Sequence, residues 1–251
     1  MTKGYFMKPL QAAEKLFFPP RCPHCGEVLG FLPRCETCAE TVESLRLPQK
    51  GRLSSRWHKM EYISEIYAVF SYEPPVETAL WRFKFSGEQY LAQPFAREMA
   101  ALARQEEPDA IVPVPASRRE RRRHQGCHGA FLLAKELSRE TGLPLWDKVL
   151  EKQFETLPQH ELGVLRRSGN LAGSMRVRQP ERLPDKTILL TDDIVTTGNT
   201  LDYCAKLCLA YGARRVIGIS YAASLCREER EQWMKNKDRE TKKGESGYGA
   251  E

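Results

Sequence analysis

Residues 188–200 constrain the fold more than any other stretch of the chain. They read Ile-Leu-Leu-Thr-Asp-Asp-Ile-Val-Thr-Thr-Gly-Asn-Thr, and a helical pattern follows. In an open parallel sheet, ligands bind beyond the carboxyl ends of the strands, and a loop that leads into a helix N-terminus offers backbone N–H groups to an anion. The sequence therefore predicts a parallel α/β domain with an anion site at the end of this strand.

The residues of this loop have different chemical tasks. Gly198 allows the backbone to turn closely around a phosphate. Further hydrogen bonds can come from hydroxyl groups, which belong to Thr196, Thr197 and Thr200. Asp192 and Asp193 would repel a phosphate but suit the hydroxyls of a ribose. The spacing predicts a site for ribose 5-phosphate, and the alternative is an acidic turn in which Asn199 or Thr200 caps the helix without a ligand.

Two Cys-x-x-Cys pairs near the N-terminus form a second motif. They consist of Cys22 with Cys25 and of Cys35 with Cys38. Four thiolates at this spacing can surround Zn²⁺ tetrahedrally, and a closed set leaves no position for water, so we expect a structural metal. A redox pair would need a thioredoxin-like context, and isolated buried thiols would not recur in pairs. His24, inside the first pair, is expected not to be a ligand.

Bulk properties indicate a cytoplasmic protein in a reducing compartment. The chain has 251 residues and a formal net charge of +6, a bias that phosphate-binding and nucleic-acid-binding proteins share with many others. The sequence has no apolar run of about eighteen residues, as a membrane helix would need. Residues 1–20 mix charged with apolar residues and do not resemble a secretory signal.

Composition and periodicity divide the chain into four parts. Residues 1–46 are expected to form a short amphipathic helix and the cysteine module, and residues 47–61 a polar connector. Residues 62–225 alternate apolar strands with helices, which indicates a parallel sheet covered on both faces. Residues 226–251 form a charged tail that we expect to be partly disordered. The predicted strands are 66–72, 110–114, 187–191 and 215–222, and the predicted helices are 90–104, 129–141 and 200–211.

The loop at 188–200 resembles the signature of the type I phosphoribosyltransferases, in which two acids, Thr-Thr-Gly and a further Thr follow a hydrophobic strand. This resemblance implies that phosphoribosyl pyrophosphate binds with Mg²⁺, and that a loop after an earlier strand holds the pyrophosphate. The corresponding residues are Val114, Pro115, Ala116, Ser117 and Arg118. Arginines at 119 and 121–123 follow, and they fit pyrophosphate binding, a solvated basic face or a nucleic-acid patch.

From about residue 5 to residue 225, the chain resembles the ComF family of competence-associated proteins. Besides the two loops, the matching positions are Trp81, Lys84, Phe85, Thr156, Gln159, Leu162, Arg167, Asn170, Gly212 and Ala213. The resemblance implies an α/β fold, a parallel-sheet type I phosphoribosyltransferase-like domain with a small N-terminal zinc-binding module. It also implies a role in natural competence and DNA uptake, with single-stranded DNA and competence proteins as partners.

One segment departs from the family pattern. The family usually has Arg-Gly-Phe-Asn-Gln-Ala, whereas residues 124–130 read His-Gln-Gly-Cys-His-Gly-Ala. If the family's amides contact ligand, replacement by His128 and Gly129 changes the reactive side of the site and leaves ribose phosphate binding intact. His128 is expected to start a helix and not to act as a catalyst.

Three functions stay open from the sequence. The first is an enzyme in which pyrophosphate leaves and an unidentified nucleophile attacks C1 of the ribose, a reaction that depends mainly on positioning and charge. The second is a single-stranded DNA-binding competence factor that uses the pocket for a nucleotide or a regulatory ligand. The third is a sensor that binds phosphoribosyl pyrophosphate and performs no chemistry.

Overall fold

The computed structural model describes residues 19–29, 35–48, 51–53, 60–116, 128–152, 175–226 and 229–231. Several sequence predictions lie outside these ranges: the N-terminal helix, Ser117, Arg118 and the arginines after them, and the family positions between 156 and 170. Most of the predicted tail also lies outside them.

A four-stranded parallel sheet forms the centre of the domain, in the order β1-β6-β5-β2, and β3 and β4 pair antiparallel beside it. The strands of the described chain are β1 (Glu65–Ser71), β2 (Ala110–Pro113), β3 (Leu150–Lys152), β4 (Met175–Val177), β5 (Thr187–Val195) and β6 (Arg215–Ala223). Central strands β5 and β6 are almost entirely buried, as expected for a sheet covered on both faces. The predicted parallel α/β architecture is confirmed.

Helices cover both faces of this sheet. They are α1 (Ala39–Ser44), α2 (Val76–Phe85), α3 (Ala92–Gln105), α4 (Gly129–Thr141) and α5 (Asn199–Ala210). Side chains alternate along β5, so Leu189 packs with α2, α3 and α4, whereas Ile188 and Leu190 pack with α5 on the other face. No helix of the described chain is both long and apolar enough to cross a membrane.

The structure corrects the predicted end of β5. Pairing with β6 continues past residue 191, because Asp192 lies opposite Ser220 and Ile194 opposite Ala222. The two acids are therefore held inside the strand and not in the loop. Helix α5 also starts one residue earlier than predicted, at Asn199, and the predicted helix 90–104 begins at Ala92 after a 3-10 turn.

Two structural features were missed by the sequence reading. Helix α2 follows Pro74 and Pro75 directly, and its buried residues recur with helical spacing, at Val76, Ala79, Leu80 and Phe83. The small β3–β4 sheet was missed because its strands have only three residues each, too few for an alternating pattern to be visible.

The N-terminal module packs on the α/β domain. Leu47 donates its backbone N–H to Val69 O at 2.9 Å, and Leu53 donates to Ile66 O at 2.9 Å. The first described part of the predicted connector therefore runs along β1. Buried residues of the module, Cys22, Cys35, Cys38, Val42 and Leu45, share one hydrophobic cluster with β1, β6 and α3.

Candidate functional sites

The predicted phosphate loop lies between β5 and α5, at the carboxyl edge of the sheet. Gly198 is buried at φ 76° and is the N-cap of α5, a position at which no side-chain cap bond forms. The alternative interpretation, in which Asn199 or Thr200 caps the helix, does not describe this geometry. Without a side-chain cap, the N–H groups of the first turn and the positive end of the helix dipole can serve an anion.

The side chains around this turn are polar and accessible. Thr196, Thr197 and Asn199 are exposed, and Thr200 is half-buried. The first turn of α5 is also tied to the segment before β1. The carboxylate of Asp202 accepts hydrogen bonds from two backbone N–H groups of that segment, at 2.9 and 3.0 Å. The predicted loop residues thus lie together in the turn before α5 and in its first two positions.

The two acids lie side by side near the end of β5, and their carboxyl groups interact with each other. Asp193 is buried, and its Oδ1 accepts from Lys84 Nζ at 2.8 Å and from the backbone N–H of Ile194 at 2.8 Å. Asp192 accepts from the backbone N–H of Asp193 at 2.9 Å and interacts electrostatically with Cys204 of α5. The acids therefore have different surroundings although they are adjacent in sequence.

Burial and the neighbouring charges determine the pKa values of Asp192 and Lys84. Loss of hydration, and secondly repulsion from Asp193, raise the pKa of Asp192 to about 7. Burial acts to lower the pKa of Lys84, but attraction to Asp193 and Asp192 outweighs it, so the pKa of Lys84 is raised. Lys84 therefore stays charged, whereas Asp192 changes charge near neutral pH.

Helix α4 begins directly against this ion pair. A Cβ at Gly129 would lie 2.6 Å from Asp193 Oδ2 and 3.1 Å from Phe83 Cε1, so the close approach requires glycine. His128 is the N-cap of α4, and its Nδ1 accepts from the backbone N–H of Phe131 at 3.3 Å. The prediction that His128 starts a helix is confirmed.

The described part of the predicted pyrophosphate loop lies beside the acids. Val114 is buried and donates its backbone N–H to Thr191 O at 3.0 Å, and Pro115 and Ala116 are half-buried. Since β2 is the neighbour of β5, the two predicted loops leave the sheet at one edge. Ser117 and Arg118, the other two predicted residues of this loop, are outside the described ranges.

The predicted cysteines form one cluster that could hold a metal ion. All Sγ atoms of Cys22, Cys25, Cys35 and Cys38 lie within 4.8 Å of one another. Individual separations are 3.5 Å for Cys22 to Cys38, 3.5 Å for Cys25 to Cys35 and 3.7 Å for Cys38 to Cys35. Ligands about 2.3 Å from a tetrahedral Zn²⁺ are about 3.8 Å apart, so the cluster has the size that zinc requires.

His24 points away from this cluster and into the α/β core. Its Nε2 lies 2.7 Å from Tyr221 Oη of β6, and its ring packs against Phe70 and Phe95. Burial lowers the pKa of His24 to about 4, so the ring is neutral at pH 7. The first cysteine pair is therefore joined to the sheet through His24.

Lys84 is the site residue whose role the sequence reading missed. It was noted as a family position, but nothing in the local sequence indicates that the last turn of α2 would reach Asp193. The available signal was indirect, since two adjacent acids at a buried strand end need a cation to offset the cost of burying them.

The pKa of Asp192 predicts a pH dependence of stability. Its carboxyl titrates near pH 7 in the folded protein, whereas an unfolded aspartate titrates near pH 3.9, at about the usual value. Folding therefore takes up a proton between these values, and stability falls as the pH rises through this window. We expect the free energy of unfolding, relative to that of Asp192→Asn, to fall between about pH 4 and pH 7 in urea denaturation.

The control is Asp185→Asn, which removes one carboxylate at an exposed turn. A difference between wild type and Asp192→Asn that does not change with pH would contradict the assignment of the titrating group.

Comparisons with known proteins agree with the described fold. The profile of the phosphoribosyl transferase domain matches residues 127–250. Competence protein F of Haemophilus influenzae is 29% identical over 206 residues, which cover 78% of this chain and 82% of that protein. DNA utilization protein YhgH of Salmonella typhi is 31% identical over 159 residues, 60% of this chain and 68% of that protein. Competence protein ComFC of Bacillus subtilis is 30% identical over 151 residues, 58% of each chain.

Among solved structures, purine phosphoribosyltransferase from Pyrococcus horikoshii is 22% identical with a TM-score of 0.35, and the match covers 52% of this chain and 71% of that one. At this TM-score, the likeness adds nothing to the assignment. The relatives, the domain profile and the parallel sheet with its cysteine cluster together show that the chain belongs to the ComF family, whose members carry a phosphoribosyltransferase-like domain.

Proposed function

We propose that this protein binds the ribose 5-phosphate part of phosphoribosyl pyrophosphate and that it acts in DNA uptake. One observation carries the proposal: carboxylates at the end of β5 stand immediately before the turn of Gly198, where α5 begins without a side-chain cap. A carboxylate suits sugar hydroxyls, and an uncapped helix start suits a phosphate. The names of the relatives, which refer to competence and DNA utilization, support the biological role.

In this proposal, different residues bind the 5-phosphate, the ribose and the pyrophosphate of the ligand. The 5-phosphate would lie at residues 196–200, the ribose hydroxyls at the acids, and the pyrophosphate at residues 114–118. Mg²⁺ would bind with the pyrophosphate and neutralise charge on it as it leaves. The protein would contribute mainly by holding C1 of the ribose in position, and the nucleophile is unidentified.

Replacing the acids tests the site. Asp192→Ala with Asp193→Ala is expected to abolish the rise in melting temperature that ribose 5-phosphate gives the wild type, because ligand binding stabilises the folded state only where the site is intact. The matched control is Asp185→Asn, and every melt is compared with the ligand-free melt of the same variant. Equal protection of the double variant and the wild type would refute the site.

Pyrophosphate release separates an enzyme from a sensor. With phosphoribosyl pyrophosphate, Mg²⁺ and a panel of bases, amines and DNA ends, an enzyme releases pyrophosphate faster when the correct acceptor is present. A protein that binds the ligand in melts but gives no release above the acceptor-free rate with any acceptor acts as a sensor.

We also propose that the cysteine cluster holds a structural Zn²⁺ and that the protein works in the cytoplasm, where thiols stay reduced. Three of the cysteines are buried, and their separations fit zinc. Because the module is short, it has little hydrophobic core of its own. Metal binding would therefore supply part of its folding free energy. Because the module packs on β1 and β6, metal loss should also destabilise the α/β domain.

Zinc content and stability test this assignment. Cys35→Ser is expected to lower the zinc measured by mass spectrometry from one ion per chain to near zero and to reduce the melting temperature by several degrees. Cys226→Ser is the control, because that thiol lies outside the cluster. Undiminished zinc in Cys35→Ser would contradict the proposal.

Single-stranded DNA binding is the second candidate, favoured by the name DNA utilization protein that several relatives carry. A protein that contacts several backbone phosphates releases counterions, so its affinity for an oligothymidylate should fall by roughly 10³-fold or more between 50 and 200 mM salt. Fluorescence anisotropy with a labelled strand measures this slope. Weak binding that hardly changes with salt would remove DNA as a direct ligand.

A further inference from the structure

We propose that Tyr72, which directly follows β1, binds the acceptor beside C1 of the ribose, on the side away from the pyrophosphate, and that it favours an acceptor with a planar ring. This inference rests on the proposed function, because it adds a residue and a class of acceptor to the same ligand site. Tyr72 would contribute the face of its ring and its hydroxyl group.

Tyr72 lies at the carboxyl edge of the sheet, where the predicted ligand loops also lie. Its backbone N–H donates to Ala223 O at 2.8 Å, which ties it to the last residue of β6. The residue after Ala223 is Ser224, and its N–H donates to Val195 O at 2.9 Å, at the end of β5. The ends of β1, β6 and β5 are therefore joined side by side, with Tyr72 at the β1 end of this row.

The Tyr72 side chain lies along one side of α2. It interacts electrostatically with Glu77 and Lys84, which are seven residues apart and therefore on the same side of the helix. It also interacts with Asp193, whose carboxylate binds the ammonium group of Lys84 at 2.8 Å. Tyr72 is thus close to the acids of the site, although β6 separates β1 from β5.

The hydroxyl of Tyr72 is available to a ligand. The residue is half-buried and packs against the core cluster that β1 and β6 share with α2, α3 and α4. Its hydroxyl has no hydrogen-bond partner among the described residues. Burial, Glu77 and Asp193 raise the pKa of Tyr72 despite the opposing effect of Lys84, so the hydroxyl is a neutral donor at pH 7. Because tyrosine hydroxyls withdrawn from water usually have a partner, a ligand atom is a suitable one.

The strand order places Tyr72 on the opposite side of β5 from the predicted pyrophosphate loop. That loop follows β2, which pairs with one edge of β5, whereas β6 and then β1 lie beyond the other edge. A ribose held at the end of β5 therefore has the pyrophosphate toward β2 and free space toward β6 and β1.

The chemistry of the displacement requires the acceptor on that second side. The acceptor's lone pair forms the new bond to C1 as the C1–O bond breaks, and the electron pair of the broken bond leaves with pyrophosphate. Any proton on the attacking atom passes to water. Because the reacting orbitals must be in line, the acceptor approaches the face of C1 opposite the leaving group. This is the side on which Tyr72 lies.

The distance between the strands suits a flat acceptor. Neighbouring strands are about 4.8 Å apart, so the end of β1 lies roughly 10 Å from the end of β5. The Tyr72 side chain and a planar ring attached at C1 together span this distance. An aromatic side chain offers such a ring a stacking face, and its hydroxyl can bond to a polar group on the ring edge.

The experiment measures how much a ring at C1 adds to the affinity of the ligand. Titration calorimetry of the full chain compares ribose 5-phosphate with the 5′-monophosphates of adenosine, guanosine, cytidine and uridine. The base of each nucleotide occupies the position that the acceptor takes after displacement. In the wild type, at least one nucleotide should bind roughly tenfold more tightly than ribose 5-phosphate, as one stacking contact predicts.

Two variants of Tyr72 and one control complete the design. Tyr72→Leu keeps apolar volume for packing but removes the ring and the hydroxyl, so it should lose the nucleotide preference and keep the affinity for ribose 5-phosphate. Tyr72→Phe should lose roughly threefold of the preference, as loss of one neutral hydrogen bond predicts. Tyr211→Leu replaces an exposed tyrosine at the far end of α5 and should leave the preference unchanged.

The outcomes distinguish this inference from the function on which it rests. A nucleotide preference that is the same in Tyr72→Leu and the wild type overturns the inference, and so does a wild type that binds no nucleotide more tightly than ribose 5-phosphate. An equal loss of affinity for both ligands in Tyr72→Leu would show a purely structural role. In all three cases, wild-type binding of ribose 5-phosphate still supports the proposed site.

Two further outcomes complete the test. If Tyr72→Leu does not fold, the nearly isosteric Tyr72→Phe decides, and an unchanged preference in that variant overturns the inference. Failure of the wild type to bind either ribose 5-phosphate or phosphoribosyl pyrophosphate would overturn both the inference and the proposed function.

Discussion

The backbone pairing of β5 with its two neighbours is the constraint on which the candidate site depends. β2 and β6 hold β5 from both sides, and the pairing with β6 continues through Asp192 to Val195. The acids are therefore fixed by a hydrogen-bonded strand and not by a loop. This pairing sets their position relative to the start of α5 and to the end of β2.

Strand β6 connects the cysteine module to the candidate site. Ser220 of β6 lies opposite Asp192, and the next residue, Tyr221, bonds to His24 within the first cysteine pair. Tyr221 also stacks on Phe95, with ring centroids 4.1 Å apart, so the His24 ring enters the aromatic core of the domain. Order in the module thus supports order in β6, and β6 fixes β5. This connection gives a physical reason for a cysteine module beside a phosphoribosyltransferase-like sheet.

The sequence predicts those features that depend on local pattern. Apolar strands, the loop before α5, the cysteine spacing and the start of α4 at His128 all agree with the structure, because each depends on residues close together in the chain. The Lys84 to Asp193 contact joins residues far apart, and no local pattern indicates it. The predicted end of β5 is too early for a related reason. Two adjacent acids are typical of a loop, and only the pairing with β6, which is distant in sequence, places them inside the strand.

Gly129 shows how a departure from a family pattern can have a structural cause. The family usually has glutamine at this position, but here any side chain would meet Asp193 Oδ2 or Phe83 before it reached a ligand. Glycine therefore lets the start of α4 lie directly against the Lys84 to Asp193 pair, whereas a larger residue would need Asp193 or Phe83 to move. The departure at residue 129 thus has a packing cause, the close approach of α4 to the end of β5.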